Sequence, residues 1–163
     1  MSSATEFAIR RLGPEDWKTF RRVRLAALKE APYAFGSTFE REAGLAEKHW
    51  RGAVVQRTRF VAEIDGEVAG MVGAGPGEFG SSAALTALWV DPRYRDRGVG
   101  SALVEAVVDW AAGQGFSQVL LWVTEVNRNA ERLYVHHGFA RTGRVSEVRP
   151  GEQAVENEMS KQI

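Results

Sequence analysis

The chain has 163 residues, of which 44% are hydrophobic and 26% charged, and its 21 basic residues are balanced by 21 acidic ones. These values are typical of one globular domain, so we expect a single domain over residues 1–163, with a flexible tail at residues 1–5. The zero net charge argues against a sequence-independent nucleic-acid binder, the lack of cysteine excludes disulfides and a thiolate nucleophile, and no apolar run approaches the roughly 18 residues that cross a bilayer.

The first third of the sequence predicts a short strand followed by two helices. Alternating apolar and polar residues at 6–12 are typical of a strand, which Gly13 ends. Apolar residues then recur at helical spacing from Pro14 until Pro32 stops the helix. A second helix, with a weaker apolar face, is predicted over residues 45–57.

The segment between these two helices, residues 31–40, is rich in aromatic residues and too apolar for a surface linker. Phe35 and Phe39 either pack the segment onto the core, as aromatic residues usually do, or form a wall of a binding pocket. The sequence leaves both interpretations open.

The middle of the sequence predicts a hairpin and then a strand–helix–strand unit. Asp65-Gly66 lies between the strand-like residues 59–65 and 67–74, which is a strong hairpin signal. A strand over residues 84–90 is followed by an amphipathic helix from about Gly98 to Gly113 and by an apolar strand over residues 118–123, typical of burial on both faces. This order predicts a right-handed parallel crossover.

A glycine-rich loop within residues 88–100 opens the helix of this crossover. The first turn of a helix has amides without internal partners, and the helix dipole adds positive charge there. The loop is therefore suited to holding a phosphate group, although it matches neither the Walker nor the dinucleotide fingerprint.

The last third of the sequence predicts a short helix and a closing pair of strands. Asn127 or Asn129 can cap the helix, and Gly138 suits its C-terminal position. Residues 139–144 and 154–161 alternate in the manner of strands around a turn at Pro150-Gly151.

Two motifs stand in this framework: R-x-x-G-x-G at Arg95, Gly98 and Gly100, and N-x-x-A-x-x-L-Y-x-x-x-G-F from Asn127 to Phe139. Together they resemble the two signature motifs of the GNAT superfamily of acetyl-CoA-dependent N-acetyltransferases. The order of elements over residues 6–161 is also similar to that fold. The resemblance implies one α/β (α+β) domain whose mixed sheet has about six or seven strands, antiparallel in its N-terminal part and parallel at its centre, flanked by about four helices.

The same resemblance implies acetyl-CoA (coenzyme A) as the acetyl donor. A V-shaped split between the strand ending at Val90 and the strand of residues 119–123 would take the pantetheine arm as though it were another strand. The loop amides, glycines without a Cβ and arginine charge would hold the pyrophosphate. The implied cofactor-binding residues are Leu88, Trp89, Val90, Arg95, Asp96, Arg97, Gly98, Val99, Gly100, Ser101 and Asn127.

Tyr134 matches the family tyrosine that protonates the departing thiolate of coenzyme A when an amine attacks the thioester directly in a ternary complex. A phenol, with an ordinary pKa of about 10, is protonated at neutral pH and can act as this acid. The resemblance thus implies a catalytic role for Tyr134, whereas a plain aromatic in this place would only pack.

The general base is where the sequence departs from the family pattern. Many relatives carry a glutamate on the strand that leads to Leu88, and residues 83–87 here contain no carboxylate. Glu40, Glu42, Glu156 and Glu158 are candidates, and none of them is assigned from sequence. The missing carboxylate also leaves an alternative function, a non-catalytic acyl-CoA-binding sensor or interaction module on the same fold.

The expected acceptor is a small-molecule amine or an amino-acid-like compound, bound beside Phe35 and Ser37 of the aromatic segment. Three scattered histidines without carboxylates at ligand spacing argue against a metal site. We expect no nucleic-acid or membrane partner and a cytoplasmic protein, and the resemblance allows a homodimer.

Overall fold

The computed structural model describes residues 6–163, so the expectation of a flexible tail at residues 1–5 lies outside the described residues. The strands are β1 (Ala8–Arg11), β2 (Thr58–Ile64), β3 (Glu67–Pro76), β4 (Ser82–Val90), β5 (Gln118–Thr124), β6 (Ala140–Glu147) and β7 (Val155–Gln162). The helices are α1 (Trp17–Glu30), α2 (Phe39–Ala43), α3 (Glu47–Gln56), α4 (Val99–Gly113) and α5 (Arg128–His136). Short 3-10 turns at Pro14–Asp16, Pro32–Ala34 and Pro92–Tyr94 precede α1, α2 and α4.

All seven strands of residues 6–163 belong to one sheet, in the order β1-β2-β3-β4-β5-β7-β6. The only parallel neighbours in it are β4 and β5, and the other pairs are antiparallel. The β2–β3 turn has positive φ angles at Asp65 (49°) and Gly66 (81°), which is the backbone of a type I′ hairpin. The predicted mixed sheet with an antiparallel N-terminal part is confirmed.

The two faces of the sheet pack against different helices. On one face, α4 buries Leu103, Val104 and Val107 against residues of β3, β4 and β5. On the other face, α1 and α3 bury side chains that include Leu28 and Trp50. Among residues 6–163 no helix has the length and apolarity that a membrane span requires.

The parallel pair β4–β5 separates soon after it begins. Ser82, Ala83 and Ala84 pair with Gln118, Val119 and Leu120, and beyond this point β5 pairs only with β7. The expected V-shaped split in the sheet is therefore present. A β-bulge in β4 lies in the diverging part, where Ala87 has a φ of 54° and the register with β3 shifts between Met71 and Gly73.

The structure differs from the sequence predictions mainly in the aromatic segment and at element ends. Residues 31–40 do not form one loop, because they contain the Pro32–Ala34 turn and the start of α2. The hydroxyl of Thr38 accepts a hydrogen bond from the Arg41 amide at 3.2 Å and so caps α2, a helix that the sequence did not predict. In β5, Trp122 is 36% exposed, so that strand is not buried throughout.

Candidate functional site

A cleft of about 670 Å³ opens between the C-terminal end of β4, the first turn of α4 and α5. We call it the main cleft. It brings together ten residues singled out in the sequence: Leu88, Trp89, Val90, Arg95, Asp96, Gly98, Val99, Gly100, Ser101 and Asn127. Two motifs that lie about thirty residues apart in the chain thus form the walls of one cavity.

The glycine loop presents the N-terminus of α4 to this cleft. Gly98 is the N-cap and has a φ of 84°, a left-handed conformation that favours glycine. The first hydrogen bond of the helix runs from the Ala102 amide to the Gly98 carbonyl at 3.1 Å, and no side chain of residues 6–163 caps the preceding amides. The amides of the first turn are therefore available to an anion.

Arg95 lines the main cleft, and its guanidinium is already bonded to other residues of the protein. Its Nε donates to the carbonyl of Val90 at 3.1 Å, and its Nη2 pairs with Glu30. The same Glu30 carboxylate oxygen accepts the indole N–H of Trp89 at 3.1 Å. Arg97, which is exposed like Arg95, lies over the Tyr94 ring at 5.8 Å and is not part of the cleft lining.

Helix α5 closes one side of the main cleft. Asn127 caps it, because its Oδ1 accepts a hydrogen bond from the Ala130 amide at 3.4 Å. Leu133 lines the cleft opposite Gly100, where a Cβ would lie 3.0 Å from a Leu133 methyl group. At Gly100, then, glycine permits close packing of α4 against α5.

Tyr134 lies deep in the protein beside the cleft and not in its lining. Its side chain is 5% exposed, and its ring packs edge-on against Phe139 with 5.8 Å between ring centroids. Burial raises the pKa of the Tyr134 phenol well above its ordinary value, so the hydroxyl keeps its proton at neutral pH.

A second cavity, of about 330 Å³, lies between the diverging strands, because residues of both β4 and β5 line it, and it shares Ala34 with the main cleft. We call it the side cavity. Phe35 lines it, as do Glu156 and Glu158, which point to one face of β7. Glu40 is exposed on α2 and belongs to the lining of neither cavity.

The two glutamates of β7 differ in their surroundings. Both Glu158 oxygens are engaged, one by the Thr142 hydroxyl at 2.7 Å and the other by Arg144 Nη1 at 2.9 Å. Glu156 makes no side-chain hydrogen bond or ion pair to any of residues 6–163, and burial raises the pKa of its carboxyl. Glu156 is therefore the better proton acceptor of the two.

A third cavity, of about 370 Å³, shares Arg24, Thr86 and Ala87 with the side cavity. We call it the arginine pocket, since Arg24, Arg41, Arg57 and Arg59 line it. Ser37, a predicted substrate residue, lines this pocket, whereas Phe35 lines the side cavity. The structure thus separates these two residues into adjoining spaces.

Sequence reasoning did not single out the arginines of this pocket or Tyr33, which lines the main cleft. One signal was present: Arg24 falls at helical spacing among the apolar residues of α1, where a charged residue needs a buried partner. Arg59 gave no such signal, because its burial depends on how α3 covers the sheet.

The model of the acetyltransferase (GNAT) family matches residues 20–139, about three quarters of the chain. The chain is 38% identical over 88 residues to human N-acetyltransferase 8, a match that covers 52% of this chain and 39% of that protein. It is 36% identical over 84 residues to human N-acetylaspartate synthetase, covering 52% of this chain and 28% of that protein. The matched region thus spans less than half the length of either relative.

Among solved structures, the fold is similar to that of yncA from Salmonella typhimurium, which was determined with its cofactor acetyl-CoA. The TM-score is 0.73 at 20% sequence identity, and the match covers 96% of this chain and 94% of that one. At this identity the likeness concerns the fold.

Proposed function

The chain belongs to the acetyltransferase (GNAT) family, and from that premise we propose that it transfers the acetyl group of acetyl-CoA to a primary amine of a small molecule. The observation that carries the proposal is the main cleft, in which the end of β4 that has separated from β5 meets the uncapped N-terminus of α4. Transfer would occur by direct attack, with donor and acceptor bound together.

The residues of the main cleft fit coenzyme A. Beyond Ala84, β4 has no ladder partner on the β5 side, so backbone groups near Leu88 and Val90 can pair with the amide groups of a pantetheine arm. The first-turn amides of α4 suit the pyrophosphate. When bound, the cofactor supplies an acetyl thioester as the electrophile.

We assign the general base to Glu156. The amine of an acceptor is mostly an ammonium at neutral pH and must lose a proton before it can attack. Glu156 lines the side cavity, carries no competing partner among residues 6–163 and has a raised pKa, which makes its carboxylate a stronger base. It takes the place of the glutamate that β4 lacks.

We assign the general acid to Tyr134. Its phenol keeps its proton because the side chain is buried, and its neighbour Leu133 reaches the main cleft. The Oη proton would pass to the sulfur that leaves the acetyl group, so that a thiol and not a bare thiolate departs. The raised pKa also lets the phenolate regain a proton readily afterwards.

The acceptor is proposed to be a small amine or an amino-acid-like compound. The side cavity, about 330 Å³, has the size of a small-molecule site, and Phe35 gives it an apolar wall. The name of one relative, N-acetylaspartate synthetase, points to an amino-acid acceptor for that protein.

An acceptor screen tests the proposal. The purified chain is mixed with acetyl-CoA and polyamines, amino acids, aminoglycosides or peptides, and thiol release is followed. We expect release that depends on one class of small amine. Saturable binding of acetyl-CoA without thiol release in any mixture would contradict transfer and favour the non-catalytic acyl-CoA sensor.

A further inference from the structure

We propose that the arginine pocket binds a carboxylate of the acceptor, so that the substrate is a small molecule with a primary amine and a carboxylate. The inference rests on the proposed acetyl transfer, and it adds the group that selects the substrate. Three features of the pocket support it: its charge, its unpartnered hydrogen-bonding groups and the packing of Thr86 against Arg59.

The pocket has an excess of positive charge. Four arginines line it, and Glu42 is the one carboxylate in its lining. Arg24 already holds both oxygens of Glu42, with hydrogen bonds of 3.0 and 2.9 Å. The other arginines therefore have no counter-charge within the pocket lining, and an anion bound there would supply one.

Arg59 is the arginine best placed to meet such an anion. Its Nε and Nη2 donate to the carbonyl of Ala53 at 3.3 and 3.1 Å, and its guanidinium stacks on Phe20 at 4.4 Å. Among residues 6–163 it forms no ion pair. Burial, with repulsion from Arg24 and Arg57, lowers the pKa of Arg59 to about 10, so it remains charged at neutral pH.

Three hydrogen-bonding groups in the same lining have no partner among the described residues. The indole N–H of Trp50, a residue that is 1% exposed, and the hydroxyls of Ser37 and Thr86 are buried and unbonded. An indole N–H can only donate, so its natural partner is an acceptor such as a carboxylate oxygen. Leaving such groups buried without a partner is costly, which favours a ligand in the pocket.

Gly73 of β3 allows Thr86 and Arg59 to lie close together. A Cβ at this position would lie 2.5 Å from Thr86 Oγ1 and 3.1 Å from Arg59 Nη1. The hydroxyl and the guanidinium therefore meet over Gly73, in space that a side chain at this position would need. Arg59 also pairs with Gly73 in the β2–β3 register, so the strand pairing itself holds the guanidinium there.

The arginine pocket continues into the side cavity, with Arg24 and Thr86 lining both. An acceptor whose amine lies near Glu156 can thus extend its other end toward Arg59. The planar guanidinium matches the two oxygens of a carboxylate. The pocket would therefore select amino acids and similar amino carboxylates over simple amines.

Matched acceptor pairs test this assignment. Glycine, β-alanine, γ-aminobutyrate and ε-aminocaproate are each compared with their carboxamides, which keep the length but lose the charge. We expect kcat/KM to favour the carboxylate by about tenfold or more at the best chain length. The amides have less basic amines, which works against this preference and makes its observation more decisive.

Variants of pocket residues test whether the arginine pocket causes the preference for the carboxylate. Arg59→Met and the isosteric Thr86→Val should each reduce the preference for the carboxylate at least several-fold, and Thr86→Ser should keep more of it than Thr86→Val. Arg51→Met is the matched control, because Arg51 is an exposed arginine on α3 outside the pocket. Equal rates for acids and amides, or a preference that survives both pocket variants, would overturn the proposal, as would faster turnover of O-phosphoethanolamine than of every carboxylate.

A binding measurement separates this inference from the proposed reaction. N-acetyl-γ-aminobutyrate, N-acetyl-ε-aminocaproate and their amides are tested for their effect on the melting temperature. A rise with the carboxylates alone, lost in Arg59→Met but kept in Arg51→Met, supports the pocket even if no thiol is released in any assay. If no acceptor is acetylated, equal changes in melting temperature with the acids and with their amides would overturn the proposed carboxylate site.

Discussion

The imidazole Nε2 of His137 lies 2.9 Å from the hydroxyl of Ser101. Ser101 belongs to the first turn of α4, and His137 directly follows α5, which carries Tyr134. This contact joins the helix end proposed to bind pyrophosphate to the helix of the proposed acid. Lys161 of β7 reinforces it by donating to the His137 carbonyl at 2.7 Å.

Tyr134→Phe removes the proposed acid and keeps the aromatic ring against Phe139. We expect kcat to fall by about 100-fold, because general acid catalysis typically contributes this much or more. The affinity for acetyl-CoA should change little, since the hydroxyl acts on the sulfur only as the thiolate departs. Steady-state kinetics and calorimetry on the same preparation check both, and an unchanged kcat would mean that another group supplies the proton.

Glu156→Gln tests the proposed base through the pH profile. Burial raises the pKa of Glu156, so wild-type kcat/KM should rise as the pH passes through a value above the ordinary 4.5 of a glutamate. The variant should lose about 100-fold in kcat/KM, and its kcat/KM should no longer show this rise at acidic pH, the acidic limb of the profile. Because burial disfavours the ionised form, the substitution should not destabilise the fold at neutral pH.

Glu40→Gln is the control for this experiment, since Glu40 is exposed on α2 and outside both cavities. Its profile should match that of the wild type. An acidic limb that persists unchanged in Glu156→Gln would exclude Glu156 as the base.

Much of this arrangement is predictable from sequence, because local signals specify it. Asp65-Gly66 predicts the hairpin, and the glycines at 98 and 100 with the following apolar periodicity predict α4 and its exposed N-terminus. These features depend on residues that lie close together in the chain. The family resemblance then adds the split between β4 and β5.

The acceptor side is not predictable in the same way. The arginine pocket depends on Arg24 from α1, Glu42 from α2, Arg59 from β2 and Thr86 from β4, which come together only in the folded chain. Likewise, Glu156 and Glu158 look equivalent in the sequence, and only Arg144 and Thr142 from the neighbouring strand distinguish them.

Gly98→Ala tests the loop conformation. A φ of 84° costs an L-residue about 1–2 kcal/mol, so we expect a loss of stability of that order and weaker acetyl-CoA binding. Gly113→Ala, at the other end of α4, is the matched control: φ there is not positive, and a Cβ would meet nothing within 4 Å. Urea unfolding should show the control unchanged or slightly stabilised, and equal losses in both variants would refute this account of Gly98.

Glu42→Gln breaks the pair with Arg24. Burial raises the pKa of Glu42, but the hydrogen bonds and the charge of Arg24 outweigh it and leave the pKa below its ordinary value. The pair therefore stabilises the fold above that ordinary pKa, and its contribution is lost as the pH falls through the lowered value.

We expect Glu42→Gln to lose on the order of 3 kcal/mol in the free energy of unfolding at pH 7, because a charge in a largely buried pair loses its partner. The difference from wild type should shrink in strong acid. Glu47→Gln, in the exposed pair with Arg51, should change stability by less than about 1 kcal/mol. Equal effects of the two substitutions would show that the Arg24–Glu42 pair has no special role.

Calorimetric titration with acetyl-CoA tests the assignment of the main cleft most directly. The titration is measured at two temperatures, because binding with an enthalpy near zero gives no heat signal. Burial of apolar surface gives a negative heat-capacity change, so the enthalpy cannot be zero at both temperatures. We predict saturable binding of one acetyl-CoA per chain, and binding of acetyl-pantetheine weaker by about tenfold because it lacks the pyrophosphate that the α4 N-terminus would hold. No binding at high micromolar acetyl-CoA, or equal affinity for both ligands, would contradict the assignment.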